Sequence, residues 1–123
     1  MNYLNKKDII LIGAAIEVYN QMGAGFLEEI YQECLEIELN LRNIIYERQP
    51  KLLIFYKKRR LNRYYIPYLY AYNGIIVELK AVKRLTDIET AQILNYLRGS
   101  KKRVGYSINF GCAAKLEWKR MII

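Results

Sequence analysis

Along the first forty residues the apolar positions recur with a helical period. Between Asp8 and Met22 they fall at Ile9, Ile12, Ile16 and Tyr19, and Gly23, Ala24 and Gly25 end the segment. A second helix is predicted from about Leu27 to Arg42, with Ile30, Cys34, Ile37 and Leu41 as its buried stripe and Asn43 as its C-terminal cap. The pattern then changes. Ile44 to Phe55, rich in Ile, Leu and aromatics and interrupted by Pro50, reads as an edge or bulged strand, and Lys57 to Arg60 as a turn. Arg63 to Tyr72 and Ile75 to Val82 are strand-like, and Asn73-Gly74 between them is a hairpin signal. Thr86 with Glu89 three residues on forms a capping box for a helix that carries Ile88, Ile93, Leu94 and Leu97 and stops near Gly99. Val104 to Phe110 and Lys115 to Ile122 complete the chain as strands. Two helices, three strands, a helix and two strands predict an α/β layer fold with a mixed sheet.

At 123 residues, with neither internal repeat nor linker, the chain reads as a single domain over residues 1–123. Apolar residues at 53% and charged residues at 26% predict an ordered core. No apolar run reaches the ~18 residues needed to span a bilayer. The start, Met1 to Lys7, lacks the basic-then-apolar order of a signal peptide, so a cytoplasmic location is expected. Cys34 and Cys112 match no ligand or redox spacing and read as small core residues. With no histidine in the chain, a Ser-His-Asp triad, a Cys-His pair and the commonest zinc ligands are excluded. Acid-base or metal chemistry therefore falls to carboxylates, Lys and Tyr.

Twenty Lys and Arg against twelve Asp and Glu give a formal charge of +8. The cations cluster at Lys57 to Arg63, Lys80 to Arg84 and Arg98 to Arg103, which points to a nucleic-acid partner, although any one cluster is equally read as a solvated loop or element end.

The clearest chemical signal is Ile75-Ile76-Val77-Glu78-Leu79-Lys80, an apolar strand that presents a carboxylate and an ammonium two residues apart and hence on one face. Such a pair can hold a metal and touch an anion. Exposed ion pairs of this kind are common, but the long apolar flanks argue against an exposed strand.

Three pieces together resemble the GxxExxY family of the PD-(D/E)XK nuclease superfamily, closest to its RecB-like branch. They are Gly25, Glu28 and Tyr31 of the naming motif, Glu78 and Lys80 of the E-x-K strand, and Gln92 and Tyr96 of the Q-x-x-x-Y helix. The resemblance extends over nearly the whole chain, including the strand end at Ile108, Asn109 and Phe110. It implies a restriction-endonuclease-like three-layer fold, with a central mixed β-sheet flanked by helices. It also implies hydrolysis of phosphodiesters with Mg2+ or Mn2+ held by an Asp and the strand Glu, the Lys positioning or activating water. That agrees with the oxygen preference of hard cations and their acidifying effect on bound water. Carried over, Glu78 and Glu28 are the metal-side residues, and Gln92 and Tyr96 orient Lys80 or contact nucleic acid. Lys80, Lys83, Arg84, Tyr64, Tyr65 and Arg98 are the nucleic-acid candidates, and DNA is the expected partner.

The chain departs from the family pattern at Tyr68, where the metal-binding Asp belongs. A phenol with pKa near ~10 is a poor magnesium ligand beside a carboxylate with pKa near ~4. Metal binding is therefore expected to be weak or absent, and hydrolysis impaired. If the resemblance holds, the hairpin loop is the three residues Tyr72 to Gly74 with Gly74 left-handed, which sets Tyr68 opposite Glu78 on one face. Tyr68 would then fill the ion's space, its hydroxyl bonding Glu78 or reaching Lys80.

Other roles remain open. Glu28 also suits a helix N-terminus by charge, Gln92 and Tyr96 suit a helix boundary, Tyr31 suits a core, and the tyrosines suit half-buried strands. The rival function is a non-enzymatic interaction module, homodimeric through an apolar patch of the same fold.

Overall fold

The computed structural model describes residues 5–123; Met1 to Leu4, the start of the segment assessed above for a signal peptide, lie outside the described residues. Helix α1 (Lys6–Met22) opens on a reciprocal capping box, in which Asn5 and Asp8 each accept the other's backbone N–H, and ends at Gly23 with φ 71°. Helix α2 (Glu28–Leu41) follows, with Glu28 and Glu29 in its first turn, where the helix dipole favours negative charge.

The apolar stripe predicted for α2 is displaced, and of the periodic positions of α1 Ile12 is buried while Ile9 and Ile16 face out. α1 buries Asp8, Leu11, Ile12, Ala14, Ala15 and Val18, whereas Ile9 and Ile16 are 59% and 42% exposed. α2 buries Tyr31, Gln32, Leu35 and Leu39, while Ile30, Ile37 and Leu41 face out and Cys34 is half-buried. Non-local contacts decide both buried faces. Asp8 turns inward to meet Arg120 at 3.5 Å, a buried ion pair beside the Tyr106 hydroxyl. Tyr31 turns inward to stack on Phe110, with ring centroids 4.5 Å apart and planes at 9°.

The region predicted as one edge strand is two strands in different sheets. β1 (Tyr46–Arg48) ends before Pro50, and β2 (Leu52–Tyr56) begins after it. β2 pairs antiparallel with β3 (Arg59–Tyr65) as a two-stranded ribbon, joined at Lys57 and Lys58. β4 (Leu69–Ala71) and β5 (Ile75–Lys80) form the next hairpin, with Ala71 opposite Ile75 and Leu69 opposite Val77. Its loop is the three residues Tyr72 to Gly74. The left-handed residues are Tyr72 and Asn73, both at φ 55°, not Gly74.

Helix α3 (Asp87–Ser100) starts at the Thr86/Glu89 capping box and is the crossover to β6 (Val104–Asn109), which lies parallel to β5; β7 (Glu117–Ile122) closes the sheet antiparallel. The central sheet is therefore mixed, in the order β1-β4-β5-β6-β7. Alternation divides it into two cores. Val77, Leu79, Tyr106, Ile108 and Phe110 pack under α1 and α2, while Ile76 packs with Tyr65, Ile93 and Leu97 under α3 and the ribbon. The result is three layers, and Glu78 and Lys80 share the α3 side with Ile76.

Candidate functional site

The site is built on the end of β5. Glu78 is buried, 9% exposed, among the apolar side chains of the sheet. Burial pushes its carboxyl above the ordinary value; the Tyr68 N–H, the Lys80 charge and the Tyr65 hydroxyl oppose that shift. Register places Ser107 of β6 beside Glu78, and the Ser107 hydroxyl is 2% exposed with no protein partner among the described residues.

Lys80 does not pair with Glu78. Its Nζ donates to Gln92 Oε1 at 2.7 Å, so the strand's ammonium is held by the exposed face of α3. One turn on, Tyr96 stacks face to face with Tyr65, centroids 3.9 Å apart and planes at 4°. Tyr65 is 4% exposed, and it is therefore not the open platform for bases expected from its place beside the basic turn. Its phenol, desolvated and next to Glu78, is held protonated well above the usual range. Tyr64 is exposed, but cations occupy its ring: Lys51 Nζ lies 5.7 Å and Arg60 Cζ 6.0 Å from the centroid.

Tyr68 immediately precedes β4, one step beyond the Leu69–Val77 pair, and meets the Glu78 carboxylate through its main chain. The Tyr68 N–H donates to Glu78 Oε1 at 3.1 Å. Its half-buried side chain packs instead on the core under α1 and α2, beside Glu28 and Glu29. Burial, then Glu28 and then Glu78, raise its phenol pKa, so the ring lies within reach of both carboxylates' fields. The expected hydroxyl contact to Glu78 or Lys80 is absent among the described hydrogen bonds. Gln32 Nε2 donates to the Tyr68 carbonyl at 3.3 Å, and Glu29, Gln49, Ile66, Pro67 and Tyr68 line a shallow depression there.

The G-x-x-E-x-x-Y segment works as a loop staple. Gly25 sits at φ 118°, a conformation that suits glycine. Tyr31, one helical turn after Glu28, donates its O–H to the Gly23 carbonyl and accepts the Phe26 N–H at 3.2 Å. This fixes Glu28 at the head of α2 beside Tyr68.

A second node locks the strand's exit. Asn109 Oδ1 accepts from the Val82 and Gly111 N–H groups at 2.9 and 3.0 Å, and its Nδ2 donates to the Val82 carbonyl and Glu117, each at 2.9 Å. The Asn109 amide, and behind it the Leu85 N–H, hold the Glu117 carboxyl below its ordinary value. Sequence reading placed Asn109 at a strand end but not in this role, and it did not single out Ser107. Lys83 and Arg84 are exposed in the loop after β5, and Arg98 is exposed in the last turn of α3.

The donor set falls short of a strong Mg2+ site. Among the described residues no three Asp, Glu or Cys side chains cluster, and the chain has no histidine. One Glu78 oxygen accepts the Tyr68 amide, and the side chain on that residue is a phenol, a poorer ligand for a hard cation than a carboxylate. No helix among the described residues is long and apolar enough to cross a membrane.

No curated protein and no solved structure matches the chain closely enough for comparison. The family model of the PD-(D/E)XK nuclease superfamily, in contrast, matches residues 5–121. With that match, the restriction-endonuclease-like layering and the Glu78–Lys80 strand, the chain belongs to the PD-(D/E)XK nuclease superfamily.

Proposed function

We propose that this protein binds DNA through the basic surface around Glu78, Lys80, Gln92 and Tyr96, and that its hydrolytic step is impaired at Tyr68. This reading places it in the GxxExxY group of the RecB-like branch. The observation that carries it is the Tyr68–Glu78 pair. The residue whose amide meets the strand glutamate carries a phenol that packs on the other core, so no second carboxylate stands beside Glu78 from this position. The rest of the machinery is intact in kind. Lys80 is oriented by Gln92, and a phosphate oxygen would meet it together with the loop cations Lys83 and Arg84. Phosphate contacts of this sort bind without reading sequence.

The test is cleavage of labelled single- and double-stranded DNA with Mn2+, comparing the unmodified protein with Tyr68→Asp and Glu78→Ala. Binding by all three with cleavage by Tyr68→Asp alone is expected. Cleavage by the unmodified protein that Glu78→Ala abolishes would overturn the impaired reading.

A second reading, a homodimeric interaction module, has its own observation. Ile9 and Ile16 of α1 and Ile30, Ile37 and Leu41 of α2 are apolar and exposed. Sedimentation of the unmodified protein against Ile37→Asp/Leu41→Asp decides it: a dimer that the substitutions dissociate supports the module, and a monomer in both rules it out.

A further inference from the structure

The β2–β3 ribbon takes no part in the E-x-K constellation except through Tyr65 at its inner end. From Arg48 to Val77 the chain has no acidic residue, while Lys51, Lys57, Lys58, Arg59, Arg60 and Arg63 all lie on or beside the ribbon. All six are exposed, as is nearly all of β3. Charges on an edge strand commonly serve to block strand-to-strand association, but either sign does that. A single-sign run adds self-repulsion that mixed charges would avoid, and a polyanionic partner relieves it.

Two aromatic rings, Tyr56 and Tyr64, lie under three of these cations. Arg60 donates to the Tyr64 hydroxyl at 3.2 Å and lies with Lys51 over that ring; Lys57 Nζ is 5.5 Å from the Tyr56 centroid. Lys101, at the end of α3, is 5.6 Å from the Phe55 centroid and joins the same field. Rings occupied by cations are poor stacking surfaces for bases, whereas cations ordered on rings meet phosphates at lower entropic cost.

The turn points the same way. Tyr56 pairs with Arg59, so Lys57 and Lys58 are the two residues of a tight loop, both left-handed at φ 48° and 64°. Asn-Gly is the sequence such a turn favours, and two lysines there keep charge at the tip against the local backbone preference. At roughly 3.3 Å per residue, β3 carries this tip roughly 20 Å from Tyr65 and the Glu78 site.

We propose that the β2–β3 ribbon is an arm that tracks the phosphate backbone of duplex DNA flanking the site, over about six base pairs at about 3.4 Å each. The inference rests on the nucleic-acid reading above and adds the duplex, the surface and the mode of contact. Tyr64 and Tyr65 then act as cation support and core, not as base platforms.

The experiment is fluorescence anisotropy with duplexes of about 8 and about 16 base pairs and with a single strand, across about 50 to 200 mM salt. The full chain is compared with Lys57→Gln/Lys58→Gln/Arg59→Gln/Arg60→Gln. The expected result is a preference of the unmodified chain for the longer duplex. The substitutions should remove that preference and make the negative slope of log affinity against log salt shallower by about 3.6. A second variant, Lys57→Asn/Lys58→Gly, fits the turn better. It should melt no lower than the unmodified chain and still bind the long duplex more weakly. Binding by the unmodified chain with an unchanged slope in both variants overturns the arm and leaves the parent reading standing. Absence of binding to every probe overturns both.

Discussion

The Tyr68 amide donates to Glu78 Oε1 at 3.1 Å while the Tyr68 ring leans to the opposite side of the sheet, toward Glu28. Tyr68 thus satisfies the strand glutamate through its backbone. Any residue at position 68 can make this bond, so a carboxylate can be introduced there without orphaning Glu78.

Glu78 carries a cost that pH reveals. Burial raises its folded pKa above the ordinary 4.5, so between those two values the folded state holds the extra proton. Its contribution to stability is present below the unfolded value and is lost as pH rises through the folded one. Glu78→Gln keeps an acceptor for the Tyr68 N–H and removes the charge. We expect its melting temperature to match the unmodified protein near pH 4 and to exceed it at pH 7. Equal melting at both pH values would mean that the buried charge costs nothing.

Lys80 depends on Gln92. Removing the amide frees an ammonium that water readily solvates, so Gln92→Ala should leave stability within about 0.5 kcal/mol. In a Tyr68→Asp background that cuts DNA, the same change should lower the cleavage rate roughly tenfold through lost orientation, with duplex affinity nearly unchanged. Single-turnover kinetics separate the two, and a fall in affinity alone would assign Gln92 to binding.

Local chemistry was legible in the sequence, and non-local geometry was not. The Thr86/Glu89 capping box, the stop at Gly23 and the β5 strand rest on neighbours a few residues apart. The helix faces are ambiguous in the sequence because apolar residues lie on both sides of α1 and α2, so periodicity alone admits more than one stripe. Asp8–Arg120 and Tyr31–Phe110, pairs distant in sequence, select between them. The placement of Tyr65 failed for the same reason, since its partner Tyr96 belongs to another element. Pro50 signalled an interruption without revealing that the chain changes sheets there. The E-x-K and Q-x-x-x-Y patterns mark Lys80 and Gln92, which the structure joins by a hydrogen bond. Ser107 and the Asn109 node carry no local mark.

The loop staple predicts coupled losses. Tyr31→Phe keeps the stack on Phe110 but strips the Phe26 N–H and Gly23 carbonyl of their partner, for about 1–2 kcal/mol. Gly25→Ala meets no atom within 4 Å, so its cost is the backbone at φ 118°, about 1–3 kcal/mol. Both loosen one loop, and the double variant should lose less than the sum in urea unfolding. Strict additivity would show that the two anchors act separately.

Gly111 offers the sharpest test of the strand exit. A Cβ there would lie 2.4 Å from the Val82 carbonyl oxygen and 2.5 Å from the Ala81 carbonyl carbon, and both neighbours are main chain that Asn109 pins. At Gly74 the nearest atom to a new Cβ is 3.8 Å away. Gly111→Ala should therefore cost roughly 2–3 kcal/mol, as overpacking against a fixed backbone does, and Gly74→Ala less than about 1 kcal/mol. Relieving the clash shifts the Ala81–Val82 peptide, one residue beyond Lys80, or the Gly111 segment packed on it. Gly111→Ala should accordingly weaken duplex binding even at temperatures where it is fully folded, and Gly74→Ala should not. Wild-type affinity in folded Gly111→Ala would separate the Asn109 node from the position of Lys80.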